Sequence, residues 1–404
     1  MKVNRIETIR VGEFPNIIWV QVGTDSGLVG LGETFYAVES VEAHIHEVIA
    51  PYLLGQSPLS IDQHNRHMLY NYLGFKSVGA EMRAASAIDI ALWDIFGKVA
   101  AQPIYQLLGG ASRERVRVYN TCAGSEYVRK KPEQGTSNFG LKVDGGGYRP
   151  YEDLRGFMNH ADELAISLVE EGYTGMKIWP FDAYAEDSGG THISNQDLKK
   201  ALEPFEKIRK AVGDKIDIHV EFHSLWNLPM AKKLAKAIEP FNPYWYEDPI
   251  KMDNLDALSE YAHSTPVWVT ASETLATRWA FRELFDRQAA SVCMFDIGWT
   301  GGITEAKKIA SMAEAYHIPI APHDCTGPVL LTAAVHLSQH CTNTLVQEVV
   351  RAFYHGWYGE LVTELPALRD GFIRAPDGPG LGTELHPTVF SRGDVTVRSS
   401  KSKG

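Results

Sequence analysis

Three glutamates, Glu221, Glu247 and Glu273, recur at an interval of 26 residues. Each closes a short strand-like run: IDIHVE at 216–221, PYWYE at 243–247 and PVWVTASE at 266–273. An apolar-periodic stretch of helix length follows each one. One strand-and-helix unit of a closed parallel barrel consumes about that much chain. Consecutive units would therefore set the three carboxylates side by side on one rim. The same rhythm begins at VRVYNTCAG (116–124) and predicts strands at 116–122, 174–178, 216–221, 243–246, 267–271, 291–296, 318–321 and 344–348. Helices are expected between them, at 151–171, 195–212, 229–239, 254–263, 277–287, 302–316 and 328–339. Eight strands in this alternation make an α/β chain with a (β/α)8 TIM-type barrel.

The barrel rhythm leaves both ends of the chain to be explained. IETIRV and IIWVQVGT read as antiparallel strands, with a turn at DSG (25–27) before LVGLGE. Three helical patterns follow, and the last, AEMRAASAIDIALWDIFGKVA, is apolar on most sides and should be buried. Strands and then a run of helices predict an α+β capping domain over 1–115, ahead of a barrel over 116–364. Residues 365–390 return to proline- and glycine-rich coil, and the C-terminal segment 365–404 is expected to pack back on the cap and complete it. The closing SSKSKG reads as a frayed tail. KKPEQGTSNFGLKVDGGGYRP at 130–150 is an insertion after the first barrel strand. Its glycines do not open a helix after a strand, so it is not a phosphate loop.

Composition limits the partners. A net charge of −11 argues against nucleic acid and anionic membrane surfaces. It leaves room for a small anionic substrate, because a bound metal would set the local sign. The four cysteines show no CxxC spacing, which fits a reducing cytoplasm better than a disulfide framework or structural zinc. MKVNRIETIRV alternates like a strand and lacks a signal core, and no apolar run approaches a membrane span.

Chemistry in such a barrel sits where the strands end. Reading those ends in order gives Lys177 and Trp179, then Glu221 and His223, Glu247, Glu273, Asp296, His323 and Glu348. Three hard carboxylate oxygens suit one divalent cation per subunit, such as Mg²⁺. Asp296 and His323 lie one strand-and-helix unit apart, so a carboxylate would orient an imidazole and raise its basicity. Lys177 would place a cation beside a metal-bound anion, and Trp179 would form a pocket wall. Cys325 near His323 makes a Cys–His nucleophile conceivable, but nothing nearby resembles an oxyanion hole.

The motifs AIDIALWDIFGK (87–98), QPIYQLLGG (102–110), the glutamates of EDP and SET, DIGWTGGITEA (296–306) and HDCTGP (323–328) closely resemble the enolase superfamily, in its mandelate-racemase-like branch. The resemblance covers essentially the whole chain. It implies Mg²⁺-assisted removal of the proton α to a carboxylate by a Lys or His base. Two departures narrow it. Racemases of this branch usually carry Lys-x-Lys at the end of strand two, and here Trp179 replaces the second lysine. The first ligand is Glu221 rather than the commoner Asp, with His223 two residues on. That arrangement is similar to acid-sugar dehydratases of the gluconate and galactonate type, although their usual Gly-Arg after the histidine is replaced by Ser224 and Leu225.

The resemblance thus implies a hydro-lyase of carbohydrate-acid catabolism acting on a small anionic acid sugar and giving a 2-keto-3-deoxy acid. His323, oriented by Asp296, would be the base, and His223 would protonate the departing 3-hydroxyl. Lys177 and Glu348 would help stabilise the ene-diolate, Glu348 in a protonated or proton-sharing form favoured by its crowding with other carboxylates. A racemase or epimerase using His223 and His323 as two bases, and a cycloisomerase, share the same first step. A non-catalytic metal-binding protein on the same fold would require these positions to be lost. The segments near 14–20, 33–38 and 125–150 should close over the distal end of the substrate, with Phe14, Trp19, Tyr36 and Tyr148 lining it. The family's habit implies a homo-oligomer.

Overall fold

The structure, a computed structural model, describes residues 1–70, 74–75, 78–127, 129–130 and 147–402. The chain opens with antiparallel strands β1 (Val3–Val11), β2 (Ile17–Thr24) and β3 (Val29–Phe35). Gly27, at φ 84°, makes the turn between β2 and β3. The helix Ala80–Ala100 lies directly on β3. Gly30 and Gly32 allow this approach: a Cβ on either would stand 2.0 or 1.9 Å from the carbonyl oxygens of Ala91 and Ala87. This helix is buried along most of its length, as its apolar sequence predicts.

The barrel strands are β4 (Val116–Thr121), β5 (Gly175–Ile178), β6 (Asp217–Glu221), β7 (Trp245–Glu247), β8 (Trp268–Ala271), β9 (Val292–Cys293) and β10 (Gln347–Val349). Neighbours from β4 to β9 pair in parallel, and β10 pairs with β4. The seventh position is held by single bridges, Ile320 to Cys293 and to Thr344 and His323 to Asp296, rather than by a continuous strand. The sixth strand is also shorter than the 291–296 read from sequence. Past Cys293 the chain bends, and Asp296 Oδ1 accepts the Gly298 N–H at 2.7 Å. The helix expected at 151–171 is divided at His160 into Asp153–Asn159 and Ala161–Glu170. Among the described residues no helix is long and apolar enough to cross a membrane.

The C-terminal segment serves both halves. Strands β11 (Ala367–Arg369) and β12 (Phe372–Arg374) form a hairpin whose second strand pairs antiparallel with the start of β4. Gly380 then packs against Gly97 of the cap helix. Strand β13 (Val395–Lys401) joins the cap sheet beside β1, from Arg5 opposite Lys401 to Val11 opposite Val395. The expected frayed tail is therefore corrected: residues 399–401 are paired strand, and the Ser400 hydroxyl meets His46 Nδ1 at 2.8 Å. An edge strand is held by backbone groups, so polar side chains do not prevent it.

Glu33 joins the cap to the barrel. Its buried carboxylate accepts the Trp19 indole N–H at 2.6 Å and the backbone N–H groups of Val329 and Leu330 at 3.4 and 3.1 Å. Those amides open the helix Pro328–His340, just beyond the loop that carries His323. Burial outweighs these donors and pushes the Glu33 carboxyl from 4.5 up to about 8. The folded chain therefore holds this proton more tightly than the unfolded chain. The stability it contributes is complete below the unfolded value and is lost as pH rises through about 8, a change on the order of 5 kcal/mol. The melting temperature is expected to fall from about pH 6 to about pH 9, and Glu33→Gln to flatten that fall. Thermal melts of both proteins across this range check the expectation; parallel curves would refute it.

Candidate active site

Strand pairing brings the first two glutamates together. Glu221 stands opposite Glu247 in the β6–β7 register, and Glu273 lies two residues beyond β8. One carboxylate oxygen from each of Glu221, Glu247 and Glu273 lies within 4.8 Å of the others. Lys177, next to last in β5, reaches into this group from a buried position. Its Nζ is 2.5 Å from Glu247, 2.9 Å from Glu348 and 3.4 Å from Glu221. The Trp245 indole N–H donates to the second oxygen of Glu247 at 3.1 Å.

The electrostatics of the triad fit a divalent cation. Burial pushes Glu221 up to about 7, against the pull of Lys177. Glu247 is held well above the carboxylate range by burial and by its neighbour Glu221. One lysine does not balance this many converging carboxylates, and hard oxygen donors at such spacing are what Mg²⁺ takes. The cluster is consistent with the divalent metal site read from the 26-residue spacing.

His323 sits beside the triad. Its Nδ1 is 2.7 Å from Asp296 Oδ2, and its Nε2 is 2.9 Å from Glu273 Oε2. Burial alone would lower its basicity. The charges of Glu273 and Glu348 and the bond to Asp296 outweigh burial, so the ring holds its proton well above the usual histidine range. Glu273 shows the complementary effect: burial raises it, but His323 wins and brings it down to about 2. Asp296 accepts from Nδ1, which leaves Nε2 as the nitrogen that faces the carboxylate group.

Several expectations need correction. Crowding was expected to keep a proton on Glu348. Instead Lys177 and His323 overcome its burial and hold it below the ordinary value, and it accepts from Thr121 and from the Asp324 N–H at 2.9 Å. His223, two residues after Glu221, does not continue its strand. Strand β6 ends at Glu221, and His223 and Ser224 adopt left-handed backbone, φ 46° and 58°. The His223 ring is aimed by Asp182, whose Oδ2 is 2.5 Å from its Nδ1. Asp182 was not singled out from sequence. Trp179 is almost fully buried, its ring edge-on to His223 at 5.7 Å and to Phe157 at 5.1 Å, so it backs His223 rather than walling an open pocket.

The four distal candidates separate. Phe14 and Trp19 are fully buried: Phe14 packs on Trp357 at 4.8 Å, and Trp19 is bound to Glu33, so neither ring lines open space. The Tyr148 hydroxyl accepts from Arg351 at 3.3 Å, within a network that ties Arg351 to Asp153 and Glu171. Tyr36 is exposed on the cap, 5.8 Å from the Arg83 guanidinium, which also covers the Trp299 ring at 4.7 Å. Trp299 in turn lies 5.3 Å from the His323 ring. Arg83 too was missed, since one arginine at a helix start gives no sequence signal. Most of the insertion expected to cover the substrate, 131–146, lies outside the described residues. Burial raises the Cys325 thiol well above its usual range, with the Glu348 charge adding to it, which opposes a thiolate nucleophile.

Comparison with known proteins agrees with this geometry. Residues 160–389 match the enolase C-terminal domain-like family, and residues 10–109 match the mandelate racemase/muconate lactonizing enzyme N-terminal domain. A D-xylonate dehydratase of Haloferax volcanii is 30% identical over 95% of this chain and 87% of its own length. A D-galactonate dehydratase of Ralstonia nicotianae is 30% identical over 95% of this chain and 92% of its own. The crystal structure of an enolase of the mandelate racemase subgroup from Agrobacterium tumefaciens superposes with a TM-score of 0.88 at 53% identity, over 100% of this chain and 99% of that one.

Proposed function

Because the chain belongs to the mandelate racemase/muconate lactonizing enzyme family of the enolase superfamily, we propose that it dehydrates an acid sugar to a 2-keto-3-deoxy acid. The observation that carries this reading is the pair of histidines flanking the carboxylate triad. Each has its Nδ1 on a buried aspartate, at 2.5 Å for His223 and 2.7 Å for His323. The relatives named D-xylonate and D-galactonate dehydratase support the same substrate class.

A divalent cation on Glu221, Glu247 and Glu273 would supply positive charge to a substrate carboxylate as electron density moves onto it. The chain's own groups do the rest. The charge of Glu273 is what holds a proton on His323 Nε2, and a cation sharing that charge would free this nitrogen; neutral Nε2 then takes the proton from C2, and Asp296 steadies the imidazolium that results. Lys177, fixed among carboxylates, presents a permanent positive charge to the developing anion. The electron pair then breaks the C3–O bond, and His223 gives the departing hydroxide a proton so that it leaves as water. The resulting enol takes a proton at C3 and gives up the proton of its 2-hydroxyl, so that it becomes the keto acid and the two histidines together regain their starting protons. Acid sugar thus becomes 2-keto-3-deoxy acid plus water.

The same two histidines favour one second reading. His223 follows the third barrel strand and His323 the seventh, half a turn apart, as two bases of an epimerase would be. A panel of acid-sugar stereoisomers incubated with Mg²⁺ separates the readings. Keto acid from at least one isomer is expected. An epimer formed without keto acid would establish the second reading, and neither product across the panel would refute both.

A further inference from the structure

We infer that Asp182 is a positioning residue for the elimination half of the reaction: it holds the His223 ring so that loss of the 3-hydroxyl follows removal of the α-proton. The inference rests on the dehydratase reading above. Asp182 begins the helix Asp182–Ser188, after β5, and is fully buried. Its Oδ2 takes His223 Nδ1 at 2.5 Å, while Oδ1 is buried with no hydrogen-bond partner among the described residues. Burying a carboxylate with one partner is unfavourable, and simple packing would be served better by an apolar side chain.

The His223 backbone is equally constrained. Left-handed φ at both His223 and Ser224 is costly for residues with side chains. Glu221 Oε1 secures the turn by accepting the N–H groups of Phe222 and His223 at 2.9 and 2.6 Å, and Ser224 N–H donates to the Asp248 carbonyl at 2.8 Å. One carboxylate of the metal triad therefore sets where the His223 backbone lies, and Asp182 sets where its ring points. With Nδ1 committed to Asp182 and the ring edge on Trp179, Nε2 is the nitrogen directed away from the anchor. Asp296 treats His323 in the same way from the opposite side of the barrel. Asp182 and His223 follow strands two and three, and Asp296 and His323 follow strands six and seven. The site carries two anchored imidazoles half a turn apart, only one of which was expected from sequence to have its aspartate.

Two variants test the role, each assayed with a confirmed substrate in D₂O for α-hydrogen exchange and for keto-acid formation. In Asp182→Ala keto-acid formation is expected to drop about 100-fold, at the low end of what a misplaced general acid costs, while exchange changes less than about threefold. Asp182→Asn keeps an acceptor for Nδ1 and is expected to recover part of the loss, which a space-filling role would not explain. It also remains informative if the alanine variant fails to fold. Exchange and keto acid falling together, or neither changing, would overturn the inference. If the parent enzyme forms an epimer and no keto acid, the dehydratase reading fails by itself. Inversion then replaces keto acid as the readout, and equal inversion in parent and variants would overturn the role of Asp182.

Discussion

His323→Asn is expected to lower release of the substrate α-hydrogen by at least about 10³-fold while the protein stays folded. The imidazole is a proton acceptor held between an orienting carboxylate and the metal triad, 2.7 Å from Asp296 and 2.9 Å from Glu273. Asparagine can still hydrogen-bond to one of these partners but cannot take a proton near neutral pH. Asp296→Asn should be milder, because that residue orients the base and does not receive the proton. The assay is deuterium exchange at C2 followed by proton NMR. Exchange at the parent rate in His323→Asn would place the base elsewhere.

Glu247→Gln is expected to weaken divalent-cation binding by at least about 10- to 100-fold, the cost of losing a ligand's outer partner, and to remove nearly all turnover. Glu247 is the middle member of the triad, and its oxygens also meet Lys177 at 2.5 Å and the Trp245 indole at 3.1 Å. A neutral amide keeps the shape but removes a unit of negative charge where three carboxylates converge. Folding should survive, since one member of a crowded carboxylate group is neutralised without creating a cavity. Calorimetry with Mg²⁺ reads the binding directly, independent of turnover. Parent-like Mg²⁺ affinity in Glu247→Gln, or full parent activity in excess chelator, would refute the metal assignment.

Much of this site was legible because barrel geometry writes itself into spacing. Strands that end on one rim force a period near one strand-and-helix unit, so Glu221, Glu247 and Glu273 announce themselves together. Asp182 gave no such signal. An aspartate at the start of a helix is ordinary, and its partner lies 41 residues away, beyond the next barrel strand. The aromatic residues of the cap were ambiguous for a different reason. A Trp near a domain seam can line a cavity or fill packing, and at Trp19 the choice is made by Glu33, the partner of its indole N–H. The strand at 395–401 was invisible to hydropathy because its pairing with β1 uses backbone groups. The state of Glu348 was misjudged by counting carboxylates without placing Lys177 at 2.9 Å from it.

The central claim is that His323 removes the α-hydrogen of a carboxylate substrate beside a divalent cation. The most direct test uses a confirmed acid-sugar substrate deuterated at C2 and follows the label by NMR and mass spectrometry. Release of the deuterium to water is expected in the presence of Mg²⁺, with little release in excess chelator or from His323→Asn. Turnover that leaves the deuterium in the organic product, or release that persists at the parent rate without His323, would contradict the account.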